Sequence, residues 1–172
     1  RAAVLRLQGP QGALDIYCVY MPTGAARQER QTIRTVIASA TRPQAAALSV
    51  MAGDWNYAAD TTDRFTSNDA TWSGQRDASE EQDFADAFLR SHLAFQELAQ
   101  DDYTHSSSLG RSRLDRVYTN HTLDDQLDND WGCAALAWDL DLSNHRPLSF
   151  FRRVRPVRPS LDRAIDPALC RD

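Results

Sequence analysis

The chain has 172 residues, 42% of them hydrophobic and 25% charged, with a formal net charge of −5. That composition suits one soluble globular core, and the acidic balance argues against a protein that coats nucleic acid by bulk attraction. No apolar run approaches the eighteen or so residues of a membrane helix.

Val4–Leu7 and Ala13–Tyr20 have the β-propensity of strands, and Gly9-Pro10-Gln11-Gly12 between them is a turn, so the chain opens with a hairpin and not with a signal-peptide pattern. Pro22 and Gly24 stop the second strand. From Ala25 to about Thr41 an apolar stripe of Ile33, Val36 and Ile37 predicts a helix whose wet face carries Arg27, Glu29, Arg30 and Arg34. Pro43 ends it, and the apolar run Ala45–Ala52 predicts a buried strand. A strand, a helix and a strand in succession give a layered α/β arrangement.

That buried strand stops at Gly53-Asp54-Trp55-Asn56. Glycine, aspartate and asparagine favour turns. Placed after a strand, they also deliver an acid and an amide to the mouth of a sheet, and side-chain alternation would put Asp54 and Asn56 on one side. An acid beside an amide suits a site that handles a phosphate and a water. Residues 57–78 follow as a long polar loop, in which Trp72 covers a site, inserts into a partner or staples its own segment. Glu80–Leu89 has helical spacing, Leu93–Leu98 reads as its broken continuation, and His92 reads as its cap.

Tyr103-Thr104-His105 is a short extended piece. Ser112–Tyr118 reads as a strand with Asp115 at its centre, and Ser143–Phe150 as a turn carrying His145 into a strand. A carboxylate within a strand needs a partner, and His145 is the natural one. All 19 basic residues are arginine, as a genome rich in G and C would produce. Their dense cluster is Arg146, Arg152, Arg153, Arg155 and Arg158, which with Pro156 and Pro159 reads as an extended tail or linker over 154–172, or as a phosphate-contacting arm. The three cysteines, Cys18, Cys133 and Cys170, lack zinc spacing and predict reduced thiols in an intracellular compartment. Nucleotide-binding glycine loops, a serine elbow, repeats and heptads are absent from the sequence.

Read together, Tyr20-Met21-Pro22, Gly53-Asp54-Trp55-Asn56, Ser112-Arg113-Leu114-Asp115 and Ser143-Asn144-His145-Arg146-Pro147, in that order, resemble the endonuclease/exonuclease/phosphatase superfamily. Its members include apurinic endonucleases, pancreatic deoxyribonuclease, inositol polyphosphate phosphatases and the endonuclease domains of non-LTR retrotransposons. The resemblance covers roughly residues 3 to 153 and looks closest to the retrotransposon and apurinic branches. It implies an α/β (α+β in some schemes) fold, part of a two-sheet β-sandwich flanked by helices in a DNase-I-like four-layer architecture, with a domain over 1–153.

The resemblance also implies roles. Asp54 matches the acid that orients or deprotonates the attacking water, and Asn56 the amide that binds the phosphate. His145 matches the group that contacts a phosphoryl oxygen or acts as base, Asp115 the acid that orients it, and Tyr20 a tyrosine reaching the phosphate. Arg146 is expected to bind phosphate. Mg²⁺ or Mn²⁺ is implied if the domain is active, and no cofactor if it is degenerate. DNA is the implied substrate, with a nuclear location for a retroelement enzyme.

Two departures stand out. The family's Ser-Asp-His is Ser-Asn-His here, so Asn144 is a weak metal ligand in place of an acid. The family's upstream asparagine and metal-binding glutamate have no counterpart in the chain, since Glu80, Glu81 and Glu97 come after the Asp54 motif. The chain therefore looks like the C-terminal half of the fold, and a second polypeptide or an upstream segment is expected to complete the sandwich.

Overall fold

The computed structural model describes residues 1–67, 70–72, 74–128 and 130–153. The expected tail at 154–172 and Cys170 lie outside them. Strands β1 (Ala2–Gly9) and β2 (Gly12–Tyr20) form the opening hairpin, followed by helix α1 (Arg27–Ala40) and strand β3 (Leu48–Asp54). The polar stretch after Asp54 carries two short strands, β4 (Arg64–Thr66) and β5 (Thr71–Trp72). Next come helix α2 (Ala78–Phe84), a π-helical turn over Ala85–Leu89, and strands β6 (Gln96–Glu97), β7 (His105–Ser107), β8 (Gly110–Ser112) and β9 (Asp115–Thr119). Helix α3 (Leu123–Asp128), β10 (Trp131–Ala135) and β11 (Leu148–Arg152) complete the order.

A five-stranded sheet in the order β1-β2-β3-β9-β6 organises the molecule, with β2 and β3 parallel and the other pairs antiparallel. Tyr17, Val19, Met51 and Tyr118 on one face pack with Ile37, Phe84 and Phe88 of the helical layer. On the opposite face Val50 and Val117 pack with Trp131, Cys133, Leu148 and Phe150 of the β10–β11 pair. The outcome is a helix–sheet–sheet stack, the mixed α/β sandwich with flanking helices that the motifs imply. A separate four-stranded sheet, β5-β4-β8-β7, stands beside it.

The parallel β2–β3 contact depends on Gly53. Its φ is +146°, and a Cβ there would lie 1.9 Å from the Val19 carbonyl oxygen. Glycine alone permits both the dihedral and the approach. Trp55 then locks the end of β3 to β9: its backbone N–H donates to the Leu114 carbonyl at 3.0 Å and its Nε1–H to that of Arg116 at 3.3 Å, while its ring meets Phe84 edge-on at 4.9 Å.

Three expectations are corrected. Arg30 and Arg34 are buried, because Glu80 of α2 accepts hydrogen bonds from both; burial opposes ionisation of Glu80, but the two guanidiniums still hold its carboxyl below the ordinary value. Val36, expected in the apolar stripe, is exposed instead. Leu93–Leu98 is no helix and delivers the edge strand β6, and Ser112–Tyr118 is two strands in two different sheets. The break falls at Arg113–Leu114, where Arg113 and the fully buried Arg116 converge on Asp63 and Glu97. That cluster ties the polar stretch after Asp54 to β9.

Among the described residues, one apolar surface is left uncovered. Ala3, Leu5 and Leu7 of β1 share a face with Cys18, Ile16 and Leu14, and Leu5 and Leu7 are 56% and 46% exposed. Among the described residues no helix is long and apolar enough to cross a membrane. Replacing Gly53 with alanine is expected to cost about 3 kcal/mol or more, since both dihedral and backbone clash must relax. Urea unfolding checks this, and an unchanged midpoint contradicts it.

Candidate active site

The ends of three adjacent strands build the site. The sheet register sets Tyr20 of β2 beside Asp54 of β3, and Asp54 directly across from Asp115 of β9. The row lies on the face that Val50, Ala52 and Val117 share, because alternate residues of a strand face the same way. Asp115 is the first residue of its strand and not the centre of one, a consequence of the break at Arg113–Leu114.

His145 closes this row. Its ring approaches Asp115 through Nδ1, 2.8 Å from Oδ2, and its Nε2 stands 3.9 Å from Asp54 Oδ2. The segment that carries it is held by main-chain bonds: His145 forms an isolated bridge with His105, and the Arg146 N–H donates to the Thr104 carbonyl at 2.7 Å. Thr104 is fully buried, and its Oγ1 accepts from the backbone N–H groups of Leu114 and Asp115 at 3.1 and 2.9 Å. It thereby joins the strand break to the histidine segment. His105 stacks at a tilt against His145, with ring centroids 4.8 Å apart.

The Asp54 turn and the site use the same atoms. Asp54 Oδ1 accepts the Asn56 backbone N–H at 3.0 Å, an aspartate turn, and Asn56 tolerates the positive φ of 52° that follows. Asn56 Nδ2 donates to Asp54 Oδ2 at 2.8 Å and to the Met21 carbonyl at 2.7 Å. The strand ends at Asp54, so the turn, and not strand alternation, brings the two side chains together. Both amide hydrogens being engaged, Asn56 acts on Asp54 in this arrangement and leaves only its carbonyl for a ligand.

Tyr20 is 52% exposed beside Asp54. Asn144 turns its amide to His105 Nε2 at 3.1 Å. Arg146, expected to bind phosphate, is a brace: its guanidinium reaches the carbonyls of Leu136 at 2.6 Å, Tyr103 at 3.3 Å and Ala135 at 3.4 Å, and lies over the Trp138 ring. Sequence reading passed over His105 and Thr104. Their short extended segment was legible, but its pairing to the His145 turn spans about forty residues and leaves no local signal.

Electrostatics separate the groups. Burial, reinforced by the facing Asp115 carboxylate, raises the Asp54 carboxyl above its ordinary value. The hydrogen bond to Asp115 raises the His145 imidazole, whereas burial and the neighbouring His145 lower His105. Divalent-cation chemistry fits this set poorly. Asp54 and Asp115 are already engaged by Asn56 and His145, Asn144 offers a neutral amide, and among the described residues no group of three or more His, Cys, Asp or Glu side chains is disposed to hold a metal. A groove of about 730 Å³ lies at the other end of the sheet around the β1–β2 turn and Ala45–Leu48. It has no connection with these groups.

No protein-family model matches the sequence, and no curated protein matches it. Solved structures do. An endonuclease/exonuclease/phosphatase family protein from Leptotrichia buccalis superposes with a TM-score of 0.57 at 11% identity, over 89% of this chain and 53% of that one. The endonuclease domain of a telomere-specific non-LTR retrotransposon gives 0.56 at 16%, over 88% and 61%. An AP endonuclease from Archaeoglobus fulgidus gives 0.56 at 15%, over 88% and 65%. The chain has the fold of these proteins and spans between about half and two thirds of their length.

His145 is expected to titrate above 6.5 and His105 below it. Because the folded value of His145 is raised, its stabilising contribution is complete below 6.5 and is lost as pH rises through the folded value. NMR titration of the ring protons checks both directions. Asp115→Asn should remove the upward shift of His145, and a shift that survives the substitution contradicts its assignment to this hydrogen bond.

Proposed function

We propose that the domain hydrolyses phosphodiester bonds, with DNA as substrate, as an endonuclease of retroelement or apurinic type. One observation carries the reading: an imidazole held at Nδ1 by one carboxylate turns Nε2 toward a second carboxylate 3.9 Å away. That gap is too wide for a direct hydrogen bond and accommodates an oxygen atom, from water or phosphate, between the two.

In this mechanism Asp54, whose raised proton affinity suits a general base, orients the attacking water and takes its proton as the oxygen bonds to phosphorus. The phosphorus–oxygen bond to the departing strand breaks, its electron pair leaves on the strand's oxygen, and that oxygen takes a proton from solvent. Protonated His145 donates from Nε2 to a phosphoryl oxygen as charge gathers there, and Asp115 keeps the ring turned for that contact. Tyr20, next in the row, offers its hydroxyl to the phosphate. Asn56 holds Asp54 in place.

The bare face of β1 and β2 supports a second part of the proposal, that an upstream segment or another polypeptide completes the sandwich. Full burial of a leucine contributes about 1.5–3 kcal/mol, so covering Leu5 and Leu7 is well rewarded. A Mg²⁺ or Mn²⁺ ion needs a further anionic oxygen ligand from that covering segment. An intracellular location, nuclear for a retroelement enzyme, accompanies this reading.

A second reading has its own support. Asn144 in place of an acid, its amide tied to His105, and the engaged amide of Asn56 are features of a catalytically degenerate domain kept as a structural subunit of a larger assembly. Cleavage of nicked, abasic and plasmid DNA, with the covering half present and Mg²⁺ or Mn²⁺ added, separates the two. The endonuclease reading predicts cutting that falls by about 10²–10⁴ in Asp54→Ala and in His145→Ala. Absence of cutting by the wild-type assembly, with a stable copurifying partner, favours the structural subunit.

A further inference from the structure

The four-stranded sheet beside the site has a composition that packing leaves unexplained. Its register places Ser106, Arg111, Phe65 and Trp72 in one row across β7, β8, β4 and β5. Tyr103 adds its ring to this row, 6.3 Å from that of Phe65. Trp72 is 61% exposed and nevertheless fixed in orientation: its Nε1–H donates to the Tyr103 hydroxyl at 2.9 Å, which donates to the Thr62 carbonyl at 3.2 Å. A tryptophan stapling its own loop would be covered by it. This one is tethered to a different segment with its ring left open to solvent.

Arg111 is the second anomaly. Every other arginine between residues 27 and 146 has a carboxylate within 4 Å; among the described residues Arg111 has none, and its guanidinium lies 5.9 Å from the Trp138 ring centroid. A groove of about 480 Å³ is lined by Phe65, Ser67, Tyr103 and Arg111, and a second of about 320 Å³ lies on the Trp72 side of Tyr103. Each is of the size that takes a planar heterocycle. Aspartates line the second groove, so an anionic backbone is directed along the Arg111 side. The first joins two aromatic faces, a hydroxyl and an unpaired cation.

We infer that this sheet is a stacking platform for unpaired nucleobases of the strand whose phosphate meets His145, an assignment that rests on the phosphodiesterase reading. Bases present a π-face for Trp72, Tyr103 and Phe65 only when they are out of a duplex, and Arg111 supplies the phosphate contact. Arg111 precedes Asp115 by four residues, at most about 14 Å of chain, so bases held here belong to nucleotides close to the reacting phosphate.

The test is fluorescence anisotropy of the 172-residue chain with a labelled twelve-nucleotide single strand of thymidines in EDTA, where binding is read without cleavage. Trp72→Ala and Arg111→Ala are each expected to weaken binding roughly ten-fold, Trp72→Phe to retain most of it, and a duplex of the same length to compete at least ten-fold less well than the single strand. Near-UV circular dichroism confirms that the variants fold. Unchanged affinity in Trp72→Ala, equal competition by duplex, or no binding by the folded wild type overturns the platform. Trp72-dependent binding by an assembly that never cuts DNA keeps the platform and removes the nuclease. Cutting with Trp72-independent binding does the reverse.

Discussion

Two carboxylates facing each other across an antiparallel pair is an arrangement that sheets ordinarily avoid, because like charges directly opposite destabilise the pairing. Asp54 and Asp115 stand in that relation at the ends of β3 and β9. The pair is tolerable because each acid has its own polar partner: the amide of Asn56 donates to Asp54, and the imidazole of His145 bonds Asp115. Some repulsion remains: burial first, and then the facing Asp115 carboxylate, raises the proton affinity of Asp54. A protein that needed only a stable strand end would place apolar or oppositely charged residues here.

The surrounding structure holds this pair in register. Gly53 lets β2 approach β3 closely, which fixes Tyr20 beside Asp54, and Trp55 clamps the end of β3 to β9. At the Arg113–Leu114 break the chain leaves the small sheet for the large one, and Thr104 bridges the break with a single hydroxyl. Below it, Asp63 lies between Arg113 and Arg116. Burial opposes its ionisation, yet the arginines keep its carboxyl below the ordinary value. The polar stretch from 57 to 78 is therefore anchored to the site by the buried Asp63.

Much of this was legible before any coordinates. The opening hairpin, the α1 helix, the buried strand to Asp54 and the proximity of Asp115 to His145 follow from propensity, periodicity and the cost of a lone buried carboxylate. What escaped did so for physical reasons. Arg30 and Arg34 read as a wet helical face because their partner Glu80 is about fifty residues away, and pairing reverses the usual cost of burial. Ser112–Tyr118 looked like one strand because a change of sheet at Arg113–Leu114 leaves the apolar alternation almost intact. His105 and Thr104 join the site through tertiary hydrogen bonds alone. Arg146 looked like a phosphate ligand, and only the carbonyls of Ala135, Leu136 and Tyr103 reveal it as a brace.

Everything proposed for the chemistry requires the His145 ring to be held with Nδ1 on Asp115 and Nε2 open toward Asp54. The ¹⁵N chemical shifts of the two ring nitrogens, recorded above the titration of His145, measure that directly. The account predicts the tautomer protonated at Nδ1, with Nε2 bare and available. A ring protonated at Nε2 would place the bare nitrogen against the Asp115 carboxylate, and it would contradict the arrangement on which the site is built.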